Sequence, residues 1–411
     1  MRYSNNFMDV DIIVKREDLT YLLNKMRVLI TTPFYPPDFG GISTHVSKLV
    51  NLLSKKFDIK VVTNSLGKMC STTSNVVRIP SINLPSFPFQ TLTSFRIPLT
   101  PSVLIRVIDE FCPDIIHAHG HHYPLTLLSV LIAKSKGIPC ILTLHGMYAL
   151  TNKPTILEEL FNRTVLKFIT NIAKCTIVLT RTMLSFVKKF NAHANCLIIP
   201  NGIDLHIYRD NIHKKFEYRK KYSLDDDKII VLYRGRFVEV KGFRELIYAI
   251  KALNMNKNIR SKVLFLLVGD GPLKDFAVKE LSQYTNCRII SWAPAELIHE
   301  LYIASDIFII PSKYAEAFSI VTLEAMASSL YIISSKNGSL PEILDKYPRK
   351  IYLKEVTVSE IINKLTTLVN SWNVMNKECY DSELTYIENF DWTNVAGKIE
   401  YLYKTVGLLK R

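Results

Sequence analysis

Short runs of apolar, often β-branched residues alternate with segments of helical composition along most of the chain. Each run spans four to six residues, the length of a strand that is buried on both faces of a parallel sheet. Repeated alternation of such strands with helices is the pattern of βαβ units. The first series of predicted strands is Arg27–Thr32, Ile59–Asn64, Asp114–His119, Cys140–His145, Thr176–Thr180 and Cys196–Pro200. A second series is Ile229–Arg234, Val263–Val268, Arg288–Ser291, Asp306–Ile310 and Tyr331–Ser334.

The two series of strands indicate two domains. They are separated by a polar, lysine-rich segment, Leu205–Lys228, which has no strong strand pattern. A chain of 411 residues is also too long for one typical core. We predict an α/β fold with two successive doubly wound parallel sheets, in residues 26–205 and 206–385, followed by a closing segment, 386–411. Ligands of such sheets bind at the carboxyl ends of the strands, so the predicted site lies in the cleft between the domains.

Two other stretches interrupt the pattern. Residues 1–25 are polar and charged, and we interpret them as an N-terminal extension because Met26 begins a much stronger strand pattern. The proline-rich stretch Pro80–Pro101 is predicted to form a long loop over one face of the first domain.

Composition narrows the class of protein. With 48% hydrophobic and 22% charged residues, the chain has enough apolar side chains for two globular cores. Its seven cysteines are scattered without a C-x-x-C pair, which favours reduced thiols over a disulfide framework or a zinc ribbon. No signal peptide is visible, and no apolar run approaches the ~20 residues of a membrane span. We therefore expect a cytoplasmic protein whose contact with a membrane, on its inner face, is peripheral.

The charge is positive and uneven. The formal net charge is +15. Residues 1–205 carry 22 Lys and Arg against 12 Asp and Glu, whereas residues 206–411 carry 30 against 25. A basic first half suits an anionic partner: phosphate ligands, an anionic membrane surface or nucleic acid. A biased genome composition explains the same charge equally well.

The most informative stretch is Pro311–Ala327, P-S-K-Y-A-E-A-F-S-I-V-T-L-E-A-M-A. It follows a predicted strand and reads as a loop that contains Glu316 and a helix that contains Glu324. Eight residues at ~1.5 Å rise would separate two helical carboxylates by ~12 Å, too far for an acid/base pair but suitable for the two ends of a nucleotide sugar. The helix N-terminus between them favours a phosphate. The alternative is an ordinary strand–helix unit with two solvated glutamates.

Two further strand ends carry candidate phosphate-binding groups. Gly40 and Gly41 follow the first predicted strand and precede the helix Ile42–Leu53, so backbone amides there can approach a phosphate closely. After the first strand of the second domain comes R-G-R-F-V-E-V-K-G, in which we predict that Arg236 ends the strand and Lys241 opens the next helix. Two cations aimed into the cleft neutralise a diphosphate as Mg²⁺ does elsewhere.

No bound metal or other cofactor is predicted. The chain has no D-x-D pair at a strand end to hold a divalent cation, since its Asp225–Asp227 run lies in the linker region. A tight turn, Gly269-Asp-Gly-Pro272, follows the next strand, and its Gly271 is a candidate contact to the nucleotide.

Histidines cluster at two strand ends, in D-I-I-H-A-H-G-H-H and in L-H-G. His117 and His119 point to the same side of their strand because side chains alternate. One interpretation is a zinc site, which needs further ligands in tetrahedral reach. A second is buried structural histidines, which applies to His117, His121 and His122. A third is contact with a sugar or an acceptor, which we favour for His119 and His145.

Taken together, these motifs resemble glycosyltransferase family 4, a large family of retaining enzymes with the GT-B fold. The motifs, in order, are P-P-D-F-G-G, D-I-I-H-A-H-G, L-H-G, N-G-I-D, G-R-F-x4-K-G, V-G-D-G-P, A-S-D-I-F-I-I-P-S and E-A-F-S-I-V-T-L-E-A-M-A. The resemblance runs from Met26 to the C-terminus, and the Glu-x7-Glu pair with the Arg/Lys pair is its most specific part. Ala317-Phe318-Ser319 stands where the family commonly has G-F-G.

The resemblance implies two facing Rossmann-like domains, with a nucleotide-diphosphate sugar held mainly by the second. It implies that Glu324 binds the ribose, that Glu316 binds the transferred sugar and that His119 lies near the anomeric centre. The expected catalytic residues are His119, Arg236, Lys241 and Glu316, and the expected donor-binding residues are Gly40, Gly41, Arg236, Lys241, Gly271, Glu316, Phe318, Ser319, Ile320 and Glu324. The closing segment is similar to the family's last helix, which crosses back onto the first domain.

The function that the resemblance implies is retaining transfer of a hexose from a UDP- or GDP-sugar to a glycolipid or polysaccharide acceptor, without a metal. Retention would proceed by same-face attack through a short-lived oxocarbenium-like ion pair. A nucleotide-sugar epimerase of the same fold and a non-catalytic sugar-nucleotide-binding protein are the alternatives. Nucleic acid is not an expected partner.

Overall fold

The computed structural model contains two mainly parallel sheets, each with helices on both faces. It describes residues 25–38, 40–66, 71–72, 75–84, 95–147, 155–291, 297–372 and 381–408. The predicted N-terminal extension therefore lies outside the described residues, except for Lys25. None of the helices in these ranges combines the length and the apolar composition that a membrane span requires.

The first sheet belongs to the first half of the chain. Its strands are β1 (Arg27–Thr32), β2 (Asp58–Leu66), β3 (Ser71–Thr72), β4 (Val76–Leu84), β5 (Phe95–Pro98), β6 (Ile115–His119), β7 (Cys140–Thr143), β8 (Cys175–Val178) and β9 (Cys196–Ile198). They are ordered β3-β4-β2-β1-β6-β7-β8-β9, with β5 paired to β4. All pairs are parallel except those of β3 and β5 with β4. Residues along a strand alternate between two cores: Val28 and Ile30 enter one, and Leu29 enters the other.

The prediction of a long loop over Pro80–Pro101 is wrong, because β4 continues to Leu84 and β5 occupies Phe95–Pro98. Pro80 fits inside a strand because its carbonyl still accepts a hydrogen bond, from the Leu99 amide at 2.8 Å, although it has no N–H to donate. The segment 85–94 between the two strands lies outside the described residues.

The second sheet has six parallel strands in the order β12-β11-β10-β13-β14-β15. They are β10 (Ile229–Arg234), β11 (Val263–Val268), β12 (Cys287–Ile290), β13 (Ile307–Ile310), β14 (Tyr331–Ser334) and β15 (Lys350–Tyr352). The bounds of β10, β11 and β14 are those predicted. β15 was not predicted, because its three half-buried residues at the edge of the sheet give no distinct apolar run.

Helices connect the strands and cover both faces of the sheets. The first domain has Gly41–Leu53, Pro101–Phe111, Pro124–Ser135, Ile156–Phe161, which continues through a π-turn, Asn162–Leu166, into Lys167–Ile172, and Arg181–Phe190. The second has Leu205–Asn211, Lys215–Lys221, Phe243–Met255, Lys257–Lys262, Lys274–Leu281, Ile298–Ile303, Ile320–Ala327, Leu340–Ile343, Val358–Asn370 and Asp381–Glu388.

The last helix, Trp392–Leu408, packs on the first domain. Its buried side chains, Tyr403 among them, enter the same core as β1. The two passages of the chain between the domains also pair with each other. The Ile203 amide donates to the Phe390 carbonyl at 2.8 Å, and the Trp392 amide donates to the Ile203 carbonyl at 3.1 Å. The linker and the returning segment therefore cross between the domains side by side.

Strand order reverses at β1/β6 in the first sheet and at β10/β13 in the second. Ligands of doubly wound sheets bind at such switch points, outside the carboxyl ends of the strands. The four strands are followed by, or end in, predicted site residues: Gly40–Gly41, His119, Arg236–Lys241 and Glu316. The predicted fold class, two Rossmann-like doubly wound domains, is confirmed.

The domains touch each other directly. The hydroxyl oxygens of Thr180 and Ser339 share a hydrogen bond of 2.7 Å. The Glu342 carboxylate accepts hydrogen bonds from the Arg181 amide at 2.7 Å and from the Thr182 amide and hydroxyl at 2.9 and 3.0 Å. An acid of the second domain thus caps the N-terminus of a helix of the first.

Candidate active site

The donor side of the cleft is built on the loop between β13 and the helix Ile320–Ala327. Glu316 lies in this loop and is buried. Its main chain bridges to Gly338, and its carbonyl accepts a hydrogen bond from the Ser339 amide at 2.7 Å. Gly338 has a φ of 66°, and a Cβ there would lie 2.3 Å from the Glu316 carbonyl oxygen, so glycine is required. Gly338, which holds the Glu316 backbone in place, was not predicted from the sequence.

Both glutamates of this segment pair with cations that follow or end β10. Lys241 Nζ lies 2.5 Å from Glu316 Oε1, and Glu324 forms a short ion pair with Arg234. Burial by itself lowers the pKa of Arg234, but Glu324 raises it above its ordinary value. The glutamate side chains are only 4% and 13% exposed, so the alternative of two solvated glutamates does not hold.

The predicted cations lie slightly elsewhere than expected. β10 ends at Arg234, and Arg236 is an exposed residue two positions beyond it, near Tyr123 of the first domain and Tyr314 of the second. The strand therefore ends at Arg234, as its apolar run predicted, and the separate prediction that Arg236 ends it is wrong.

The prediction that Lys241 opens a helix is also wrong. Lys241 lies in a single 3₁₀ turn, Glu239–Lys241, and the helix begins at Phe243. The interruption is Gly242, whose left-handed φ of 66° is incompatible with a continuous helix. Arg234 was missed altogether, although a cation at the last position of an otherwise apolar strand would have indicated it.

The helix Ile320–Ala327 starts at the cleft without a side-chain cap. Ser319 is at the N-cap position, but its oxygen accepts a hydrogen bond from the Thr322 hydroxyl at 2.7 Å and none from the first-turn amides. The Thr322 amide donates to the Ser319 carbonyl at 3.2 Å, so the amides of Ile320 and Val321 are the ones suited to bind a phosphate. Phe318, just before this position, is half-buried and packs against cores of both domains.

The glycine loop of the first domain faces this helix. A Cβ on Gly41 would lie 3.9 Å from the Ile320 side chain, so the two predicted phosphate-binding elements are neighbours. Gly40 has a φ of 134°, a conformation that favours glycine. The loop is fixed from behind by Arg96, which is 5% exposed and donates two hydrogen bonds to the Asp38 carboxylate, at 2.8 and 2.7 Å.

Gly271 lies in the turn after β11, against the loop that carries Arg236. A Cβ on Gly271 would lie 2.7 Å from the Phe237 carbonyl oxygen, so the close packing of the two loops accounts for this glycine. Its contact with a nucleotide stays a prediction.

Three histidines of the first domain form a cluster in which His45 and His119 are buried and His145 is half-buried. His119 Nδ1 and His145 Nε2 are 3.0 Å apart, and the ring of His45 lies 4.9 Å from that of His145. Burial lowers the pKa of His45 to about 4 and the pKa values of His119 and His145 well below the ordinary value. All three rings are therefore neutral at pH 7. His45, on the helix Gly41–Leu53, was missed, because nothing in the sequence indicates that it reaches the ends of β6 and β7.

Within the part of the chain that the structure describes, these three histidines are the group of side chains that could hold a metal ion. Their ligand atoms lie within 4.8 Å of one another, and neutral imidazole is the form that coordinates zinc. They would supply three ligands of a tetrahedral site.

The other predicted histidines have different surroundings. The ring nitrogens of His117 bond to the Tyr403 hydroxyl at 2.6 Å and to Thr143 Oγ1 at 2.7 Å, as a structural histidine requires. His121 is buried near Phe161, and neither of its ring nitrogens has a hydrogen-bond partner within the described ranges.

Known proteins share this sequence pattern. Residues 39–207 match the sequence model of Glycosyltransferase Family 4, and residues 214–381 match that of Glycosyl transferases group 1. TuaC of Bacillus subtilis, a glycosyltransferase assigned to teichuronic acid biosynthesis, is 27% identical over 301 residues, which cover 72% of each chain. The GPI3 subunit of the phosphatidylinositol N-acetylglucosaminyltransferase of Saccharomyces cerevisiae is 21% identical over 387 residues, 91% of this chain and 81% of the relative.

Solved structures share the fold over nearly the whole chain. Sucrose-phosphate synthase from Thermosynechococcus elongatus has a TM-score of 0.71 at 17% identity, over 93% of this chain and 99% of that one. Anabaena HepE, solved in complex with UDP and glucose, has a TM-score of 0.67 at 16% identity, over 92% and 99%. The two sequence models together span more than half of the chain. The chain is therefore a glycosyltransferase with the GT-B fold and belongs to family 4, the group 1 glycosyl transferases.

Proposed function

We propose that this glycosyltransferase moves a hexose from a UDP- or GDP-sugar to a glycolipid or polysaccharide acceptor, retains the anomeric configuration and needs no metal ion. One observation carries the proposal. The ion pairs Lys241–Glu316 and Arg234–Glu324 and the uncapped helix N-terminus lie together at the switch point of the second sheet, opposite the glycine loop of the first domain.

A diphosphate fits between these elements. Arg236 is exposed and, unlike Arg234 and Lys241, has no carboxylate within salt-bridge distance among the described residues. Its charge is therefore free to pair with the leaving diphosphate. With Lys241 and the first-turn amides of the helix, it stabilises the negative charge that develops there, as Mg²⁺ does in other enzymes.

The sugar lies between Glu316 and the histidine cluster. A buried carboxylate at this position stabilises the positive charge that develops on the sugar ring. His119 lies near the anomeric centre, and its neutrality matters, because an imidazolium would repel the same charge. The low pKa that burial imposes on His119 therefore agrees with an oxocarbenium-like transition state.

The relatives support the classes of donor and acceptor. HepE was solved in complex with UDP and glucose, the name of TuaC gives teichuronic acid biosynthesis, and the name of the GPI3 enzyme gives phosphatidylinositol as its acceptor. For this chain, a UDP-sugar is the first donor to test, and a lipid-linked acceptor at an anionic membrane surface is the first acceptor.

A panel of UDP-, GDP- and ADP-sugars tests donor binding by thermal shift. A ligand at 100 times its Kd stabilises the protein by about 2.7 kcal/mol, so the true donor is recognised by its shift. Transfer to lipid extracts is then measured with and without EDTA, with elemental analysis of the purified protein for zinc. Activity should survive EDTA nearly unchanged, and the product should have the anomeric configuration of the donor. Strict Mg²⁺ or Mn²⁺ dependence, or an inverted product, would contradict the proposal.

The two alternatives give different results in the same assay. A transferase releases free nucleotide only when an acceptor is added. Conversion of the sugar without any acceptor would indicate an epimerase, and donor binding without turnover would indicate a binding protein.

A further inference from the structure

The helix that follows β7 carries an exposed apolar face. Ile156 is 87% exposed, Leu157 49%, Leu160 55% and Phe168 49%, although residues of these types are ordinarily buried. The opposite side of the helix packs in the core of the first domain. The exposed apolar side chains therefore point away from that core. The exposed residues form what we call the outer helix face: Ile156, Leu157, Leu160, Arg163, Lys167 and Phe168.

The start of this helix is well defined. Thr155 and Glu158 form a capping box, in which the Glu158 amide donates to Thr155 Oγ1 at 3.2 Å and the Thr155 amide donates to Glu158 Oε2 at 2.6 Å. The box satisfies the first-turn amides and fixes the direction of the helix. The capping box therefore holds the first turns of the helix, with their apolar side chains, in an ordered position at the surface.

Cations accompany the apolar side chains. The Arg163 side chain is 67% exposed, Lys167 is exposed, and Lys189 of the next helix lies 3.7 Å from Glu159. Between residues 155 and 174 the acids are Glu158, which is buried in the capping box, and Glu159, which pairs with Arg163 at 2.7 Å. The surface thus combines apolar groups with a net positive charge.

The helix that carries the outer helix face follows β7 and His145 in the chain, and its inner side approaches the end of β6. The ring of Phe161 on this helix lies 6.2 Å from that of His121, just after β6. The outer helix face therefore belongs to a helix of the first domain whose inner side contacts the segment after β6.

We propose that the outer helix face docks the protein on an anionic lipid bilayer. Ile156 and Leu160 enter the boundary between headgroups and acyl chains, while Arg163 and Lys167 pair with headgroup phosphates. Charge complementarity selects this occupant, because anionic headgroups above an apolar layer match a helix whose apolar turns are flanked by cations. The inference rests on the proposed function only in that a lipid-linked acceptor would reach the cleft from this side.

The test is sedimentation of the full chain with vesicles of phosphatidylcholine alone or mixed with phosphatidylglycerol, without donor or acceptor. We expect binding to the anionic vesicles that weakens as salt screens the charges. Arg163→Gln/Lys167→Gln should weaken binding about 25-fold at low salt, since each cation near the surface contributes about fivefold. Ile156→Ser/Leu160→Ser should weaken binding at low and high salt alike, because the apolar contribution is not screened.

Matched controls carry the same changes on the second domain. Lys257→Gln/Arg260→Gln removes two exposed cations, and Phe216→Ser/Met255→Ser removes apolar side chains that are 67% and 77% exposed. These variants should bind vesicles like the wild type. The proposal is overturned if the wild type does not sediment with anionic vesicles at low salt, or if the outer-face variants bind like the controls. If the outer helix face bound a protein partner and the chain did not bind vesicles, the proposal would likewise be overturned.

A second measurement separates this inference from the proposed function. The thermal shift with the donor sugar is recorded for every variant in the absence of vesicles, and it should equal that of the wild type. An equal shift also shows that the variants are folded. Absence of any donor shift in the wild type would count against the proposed function and leave the vesicle result to stand by itself.

Discussion

Replacement of Glu324 by Gln separates donor binding from chemistry. The proposed role of Glu324 is to bind the ribose, a part of the donor that does not react. Its carboxylate is 13% exposed and is held by Arg234, so it is already oriented before the donor arrives. Glu324→Gln keeps the shape of the side chain and removes its charge.

The size of the effect follows from the lost charge. A hydrogen bond to a charged group contributes about 1.5–3 kcal/mol, so the donor Kd should rise about 10- to 150-fold. Because the ribose is bound equally in the ground state and the transition state, kcat should change little. Glu316→Gln should behave in the opposite way. It removes a charge next to the reacting sugar, and we expect kcat to fall ~10²-fold or more with a smaller change in Kd.

Calorimetry of donor binding and steady-state kinetics together make the comparison, since KM need not equal Kd. Glu300→Gln is the matched control. Glu300 is also a buried carboxylate in an ion pair, 2.7 Å from Lys221 Nζ, but it lies on the helix Ile298–Ile303 and not on the donor loop.

Two results would refute the reasoning. If Glu300→Gln raised the donor Kd as much as Glu324→Gln, the effect would come from a lost ion pair and not from a lost donor contact. If Glu316→Gln and Glu324→Gln weakened donor binding equally and both kept kcat, Glu316 would contact the sugar only in the ground state.

Three further predictions follow from contacts around the cleft. Glu342→Ala removes three hydrogen bonds between the domains. It should increase the radius of gyration in X-ray scattering and raise the donor KM. An unchanged radius of gyration would show that Glu342 does not hold the domains together. Arg96→Met leaves the Asp38 carboxylate without its buried partner, so it should cost about 3 kcal/mol and lower the Tm by roughly 6–12 °C, and Arg96→Met/Asp38→Leu should recover part of the loss; an unchanged Tm would contradict the pairing. Burial lowers the pKa of His45 to about 4 and that of His117 to about 3. Below pH ~6.5 these histidines are protonated in the unfolded chain but not in the folded one. As pH falls from ~6.5 to its folded pKa, each histidine should therefore lower the free energy of unfolding by about 1.4 kcal/mol per pH unit. Thermal unfolding at pH 7.5 and 5 measures this, and equal midpoints would contradict it.

Apolar periodicity by itself predicted the central strands of both sheets, but not β3, β4, β5 or β15. Strands buried on both faces read as continuous apolar runs, which is why β10, β11 and β14 were predicted with the bounds that the structure has. The rule that ligands bind at carboxyl ends then located the glycine loop and the segment that contains Glu316 and Glu324. The same signal failed at Pro80 and at β15, where proline or half-burial removes the apolar pattern.

The tertiary structure alone decided which side chains meet. Arg234 pairs with Glu324 across 90 residues of sequence, and Arg96 pairs with Asp38 across 58. His45 joins the histidine cluster from the helix that follows β1, and no sequence pattern connects that helix with the ends of β6 and β7. Periodicity along one element tells which face a residue occupies but not which residue of another element faces it, because that depends on how strands are ordered in the sheet and how the two domains pack.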